Sequence, residues 1–141
     1  MSSPLTRNLP IGEQRFDIIR KRGFVYVDKT HFIASLLPQS GFFFLSRPRR
    51  FGKSLFLSTL KAYYEGKKEL FHQLYIEKWE EEQAKLEGRE AWQEYPVLYL
   101  DLNDSNYTIP ESLAINIDNH LSAWEKCFGT EPSEKDFSTR F

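Results

Sequence analysis

The strongest chemical signal in the sequence is Gly52-Lys53-Ser54, which closes the basic string Arg47-Pro48-Arg49-Arg50-Phe51 and opens an apolar helical pattern at Leu55. A glycine lets the backbone approach a bulky anion closely. A lysine beside it supplies a compact positive charge, and a serine hydroxyl can ligate a Mg²⁺ ion that the same anion touches. The first N–H groups of a helix have no intrahelical acceptor and carry partial positive charge, so phosphate is the anion that suits such a string. Arg47, Pro48, Arg49, Arg50, Phe51, Gly52, Lys53, Ser54 and Leu55 are therefore read as a variant P-loop, or Walker A element, with Ser54 facing the metal. The usual pattern has a glycine where Arg47 stands. No catalytic residue is assigned.

The elements around the loop must hold it in place. Gly12 to Arg22 predicts a short helix with Phe16, Ile19 and Arg20 facing inward, and Gly23 breaks it. Phe24 to Val27 reads as a short strand, with Asp28 placed to cap a helix bearing Phe32, Ile33, Leu36 and Leu37. Phe42-Phe43-Phe44-Leu45 is an apolar run between turn signals, the pattern of a strand buried on both faces. A helix starting near Lys53 carries Leu55, Phe56, Leu57, Leu60, Tyr63 and Tyr64 and stops at Gly66. Residues 67–94 read as helical and charged, with Leu70, Phe71, Leu74 and Tyr75 on one apolar face and Glu80-Glu81-Glu82 solvated. Val97 to Leu100 is a second buried-strand candidate ending at Asp101. Thr108-Ile109-Pro110-Glu111 reads as a capping box before a helix with Leu113, Ile117, Leu121 and Trp124, which Gly129 ends. Strands alternating with helices imply an α/β, P-loop NTPase-like three-layer sandwich with a mainly parallel sheet, and so few strands imply an incomplete one.

Composition narrows the function. The 141 residues suit one domain, with residues 1–10 a loose entry and 11–141 the domain proper. A net charge of −1 argues against a dedicated nucleic-acid or membrane-surface protein. One cysteine, Cys127, excludes an intramolecular disulfide and is expected as a small buried or half-buried side chain. His31, His72 and His120 are too far apart in sequence to support a metal site or a catalytic dyad. The N-terminus shows no apolar leader, and no apolar run approaches a membrane span, so a cytoplasmic setting is expected.

Leu9-Pro10-Ile11-Gly12, Tyr26-Val27-Asp28-Lys29-Thr30, Phe44 to Leu55 and Tyr95-Pro96-Val97-Leu98 together resemble the predicted AAA-ATPase-like family. In many of its members such a domain precedes a PD-(D/E)XK nuclease-type domain. The resemblance runs from about Leu9 to the C-terminus, and Arg47 in place of glycine matches the family pattern. It implies ATP and Mg²⁺ as ligands. It also implies a later strand ending in Asp-Glu, which nothing in this sequence matches, so the chain is expected to be an N-terminal fragment that binds nucleotide and hydrolyses it poorly. Its implied partners are the C-terminal half of the ATPase domain and a nuclease-type domain. Asp101 has two readings, a strand-end acid or a Mg²⁺-directed carboxylate.

Two competing functions use the same residues. The Arg47–Lys53 basic loop with Phe51 could bind nucleic acid, and an inactive truncated product would leave unpaired apolar edges.

Overall fold

A computed structural model describes residues 8–102 and 111–129. The chain divides into two compact units, Met1–Tyr95 and Pro96–Phe141. In the first unit the aromatic residues gather around Phe71. Its ring lies 4.9 Å from Phe16, 5.2 Å from Trp92 and 6.3 Å from Tyr63. Phe16 belongs to α1 (Phe16–Lys21), and Tyr63 to α3 (Lys53–Tyr64). Phe71 itself ends a 3₁₀ turn, Lys68–Phe71. Two further helices complete the unit: α2 (His31–Leu36) and α4 (Tyr75–Glu87). α1 packs on α3 and α2 on α4, with the 3₁₀ turn between α1 and α4. The second unit contains α5 (Glu111–Phe128), in which Leu121 is buried.

Local hydrogen bonds explain why short helices hold. Each of α1 and α2 has only six residues, too few to be stable alone. The Phe16 N–H at the start of α1 donates to Ser58 Oγ of α3 at 3.0 Å. The Arg20 guanidinium donates to the carbonyls of Leu70 and His72 at 2.7 and 2.6 Å, so this helix side chain does face inward and ties α1 to the turn after α3. Gly66 ends the turn that leaves α3 with φ +67°, and a Cβ there would lie 2.9 Å from the Trp92 carbonyl oxygen. Its bareness lets the Trp92–Glu94 segment pass close by.

The expected α/β sandwich is not what forms. Among the described residues there is no strand and no sheet; the ordered architecture is helical. The apolar runs 24–27, 42–45 and 97–100 have no ladder, and Phe42 and Phe44 are 109% and 93% exposed. A short apolar run fixes that a segment is apolar, but strand formation needs a neighbouring strand to pair its N–H and C=O groups. Here the core closes through ring contacts between helices instead.

Four smaller expectations also change. Glu80, read as solvated, is only 1% exposed. Tyr75 and Leu113, each placed on an apolar face, are exposed, as is Cys127. The capping residues Thr108–Pro110 lie outside the described residues.

Glu80 is buried because its oxygens are fully engaged. They accept from the Tyr63 hydroxyl, from Arg89 Nη1 and Nη2, and from the Trp92 N–H at 3.2 Å. Burial alone would raise its pKa. Arg89, Tyr63 and the Trp92 N–H more than offset that and hold the carboxyl below its ordinary value of 4.5. The contribution of a group so lowered is complete above that ordinary value and is lost as pH falls through the folded value. Glu80→Gln should therefore lower unfolding stability at neutral pH by about 3 kcal/mol, the scale of breaking a buried ion pair. Urea titrations at several pH values would read it. The gap between wild type and variant should narrow as the medium is acidified below 4.5, and a gap independent of pH would show that the charge is not what Glu80 contributes.

Candidate functional site

Arg47 to Gly52 form an irregular turn that leads directly into α3. Gly52 is the N-cap residue, with φ +78° and ψ 21°, a left-handed conformation that favours glycine. Its carbonyl accepts from the Phe56 N–H at 2.9 Å and so begins the helix ladder. Lys53, Ser54 and Leu55 form the first helical turn, where N–H groups lack intrahelical acceptors. A Cβ built on Gly52 would meet nothing within 4 Å, so the backbone here is bare and open to approach. Arg50 is also left-handed, with φ 65°. Such a conformation is uncommon for a residue with a side chain, and it reverses the backbone just before the helix.

The structure brings part of the sequence-derived site together. The Lys53 ammonium folds back across the loop and donates to the carbonyls of Arg47 and Pro48, the latter at 3.4 Å. Arg47 is half-buried, with its guanidinium 5.7 Å from the centre of the Phe32 ring on α2. Pro48, Arg49, Arg50, Phe51 and Ser54 are exposed, and Leu55 is half-buried and packed against the core. The loop thus presents two outward arginines, a bare glycine and a serine hydroxyl at the start of a helix of 12 residues. A triphosphate could lie across that backbone, with Lys53 and the helix start beneath it. The exposed Ser54 hydroxyl is the group in the loop that could hold Mg²⁺.

Asp28 lies just ahead of Thr30, the N-cap of α2, and bonds to two segments. Its Oδ1 accepts from the Thr30 N–H at 2.8 Å and the Thr30 hydroxyl at 2.7 Å, and its Oδ2 accepts from the Tyr75 N–H at 2.7 Å. Thr30 Oγ1 then accepts from the Ile76 N–H at 3.1 Å. Two residues thereby satisfy the first N–H groups of α4 from a position 46 or 47 residues earlier. Sequence reasoning reads Asp28 as the cap of α2, whereas Thr30 holds that position without a side-chain cap bond, and it has no signal for the contact of Asp28 with α4. It also misses Phe32 as the ring beneath Arg47. Asp101, in the second unit, presents its backbone carbonyl to His120 Nε2 at 3.1 Å.

A left-handed glycine thus caps the start of α3 directly behind a basic loop. The family described as a predicted AAA-ATPase matches residues 10–141, and the chain belongs to that family. It is 35% identical over 138 residues to an uncharacterized protein in the vnfD 5′ region of Azotobacter chroococcum mcd 1, a match that takes in 96% of this chain and 25% of that protein. The chain therefore spans about a quarter of the length of the curated relative it matches. No solved structure matches. Among the described residues, no helix is long and apolar enough to cross a membrane.

Burial would raise the Asp28 pKa, but the N–H groups of Thr30 and Tyr75 and the Thr30 hydroxyl outweigh it, with His31 adding to them, and hold the carboxyl below its ordinary value of 3.8. Asp28→Ala should cost about 2 kcal/mol of stability at neutral pH, since it strands the Tyr75 N–H and frees Thr30. The difference from wild type should shrink as pH falls through and below 3.8. Hydrogen exchange offers a local check: the amides of Tyr75 and Ile76 should exchange faster in the variant, and unchanged protection there would refute the clamp.

Proposed function

We propose that Arg47–Leu55 holds the phosphates of ATP with Mg²⁺ at Ser54, and that this chain is the nucleotide-binding part of an AAA-like ATPase. The observation that carries the reading is the left-handed Gly52 at the N-cap of α3, which leaves bare backbone beside Lys53 and Ser54. In this role the Lys53 ammonium exchanges the Arg47 and Pro48 carbonyls for phosphate oxygens. The exposed Arg49 and Arg50 raise the positive potential over the site. Mg²⁺, when bound, neutralises charge on the phosphates; Ser54 orients it, and the α3 N–H groups fix the anion. No residue is assigned to activating water, and Asp101 has no role here. Efficient hydrolysis would need an acidic element from a longer chain, and a following ATPase segment and a nuclease-type domain are the expected partners. A cytoplasmic setting fits a Mg·ATP-binding protein.

The test is a titration of the chain with a fluorescent ATP analogue and Mg²⁺ beside Lys53→Ala. Saturable binding that the variant weakens by about tenfold, or about 1.4 kcal/mol, is expected. Parallel titrations with GTP and single-stranded DNA discriminate the ligand. DNA binding with a steep salt dependence and no ATP binding would overturn the proposal in favour of a basic nucleic-acid loop, whose supporting feature is the exposed Phe51 beside Arg49 and Arg50.

A further inference from the structure

Beside Glu80 lies a cavity of about 370 Å³, within the size range of small-ligand sites. Five aromatic residues line it: Tyr63, Tyr64, Trp79, Trp92 and Tyr95. Neighbouring rings meet edge to face. Tyr63 and Tyr64 are 5.5 Å apart at 78°, Tyr63 and Trp92 5.6 Å apart at 62°, and Tyr64 and Tyr95 6.0 Å apart at 82°. The rings therefore do not form one flat stack, and all five border the cavity. The Trp92 Nε1 is buried with no hydrogen-bond partner among the described residues.

The charges in the lining decide what the walls would favour. They are Glu80, Glu87 and Arg89. Arg89 donates to both oxygens of Glu80, to Glu87 Oε2 and to the Glu90 carbonyl. Its guanidinium is therefore engaged and offers little to an anion; Glu80 is saturated by the same contacts, and the more exposed Glu87 leaves the lining with one net negative charge. Aromatic faces attract cations through their quadrupole, and most strongly where water is excluded.

We propose that this cavity binds an organic cation, an alkylated or quaternary ammonium head group, held against the rings and balanced by the excess carboxylate. None of the lining residues belongs to Arg47–Leu55, so the site stands apart from nucleotide binding.

Calorimetric titration of the chain with tetramethylammonium chloride, beside the neutral tert-butanol of similar shape, tests the proposal. Saturable binding of the cation and none of the alcohol over the same range is expected. Glu87→Gln should weaken binding about threefold, the scale of one partly screened charge. Tyr95→Leu should weaken it about fivefold, the scale of one cation–π contact. Both side chains are half or more exposed, Glu87 at 55% and Tyr95 at 50%, so the variants should keep the fold, which circular dichroism would verify. Lys53→Ala should leave the affinity unchanged. Comparing choline with a trimethyllysine peptide distinguishes a free small molecule from a protein side chain as the source, and tighter binding of either supports the site. Equal uptake of tert-butanol, absence of saturation, or indifference to both substitutions would overturn it.

Discussion

A buried carboxylate is the constraint on which the first unit depends. Glu80 sits in α4 and can stay ionised only while Tyr63 of α3, Arg89 and the Trp92 N–H all reach it. Removing a charge from water costs several kcal/mol, so each of these donors is held to its place by the cost of leaving the others incomplete. Tyr63 is correspondingly locked as a neutral donor, because burial and the adjacent Glu80 both push its ionisation far upward. The result is that the C-terminal end of α3 has one position against α4 and the segment after it. Ring packing around Phe71 supplies the apolar energy, but packing alone tolerates sliding that a saturated carboxylate does not.

That restraint is transmitted to the loop through α3 itself. A helix of 12 residues is about 18 Å long at 1.5 Å per residue, and its two ends have opposite duties. The far end is fixed by Tyr63 and Glu80, and the middle by Ser58 under the start of α1. Gly52 and Lys53 at the near end are left free of the core and open to solvent on one side. The loop's other margin rests on α2 through Arg47 and Phe32, and α2 is tied to α4 by Asp28 and Thr30. The basic string is thus framed by two helices that are each pinned elsewhere.

What the sequence disclosed, and what it hid, follows from the range of the interactions. The helix from Lys53, its glycine start, Gly66 after its end, and the buried Phe16 and Ile19 were legible because caps, breakers and 3.6-residue spacing are local signals. The sheet was not. Phe42 to Leu45 is apolar enough for a buried strand, yet pairing depends on a partner segment that local pattern cannot supply. Glu80 was misread for the same reason. A run of three glutamates resembles a solvated face, and only the approach of Tyr63 from 17 residues before and Arg89 from 9 residues after makes the first of them a core residue. The loop's composition pointed to phosphate, while the Arg47–Phe32 contact and the second duty of Asp28 needed three dimensions to see.

The state of Lys53 sets the terms for any anion at the loop. Its ammonium already has a short contact to the Arg47 carbonyl and a long one to Pro48, so an anion would replace existing hydrogen bonds rather than satisfy a vacant charge. The net gain from such an exchange is modest for a neutral acceptor, near 1 kcal/mol, and larger for a charged one. On the proposed reading, a polyphosphate would meet that cost more readily than a weaker anion, since several negative oxygens could engage Lys53, the α3 N–H groups and the exposed arginines together. In the resting loop the Arg47 and Pro48 carbonyls are paired with the Lys53 ammonium. On the proposed reading, these resting Lys53 contacts would favour a multiply charged ligand over a singly charged one.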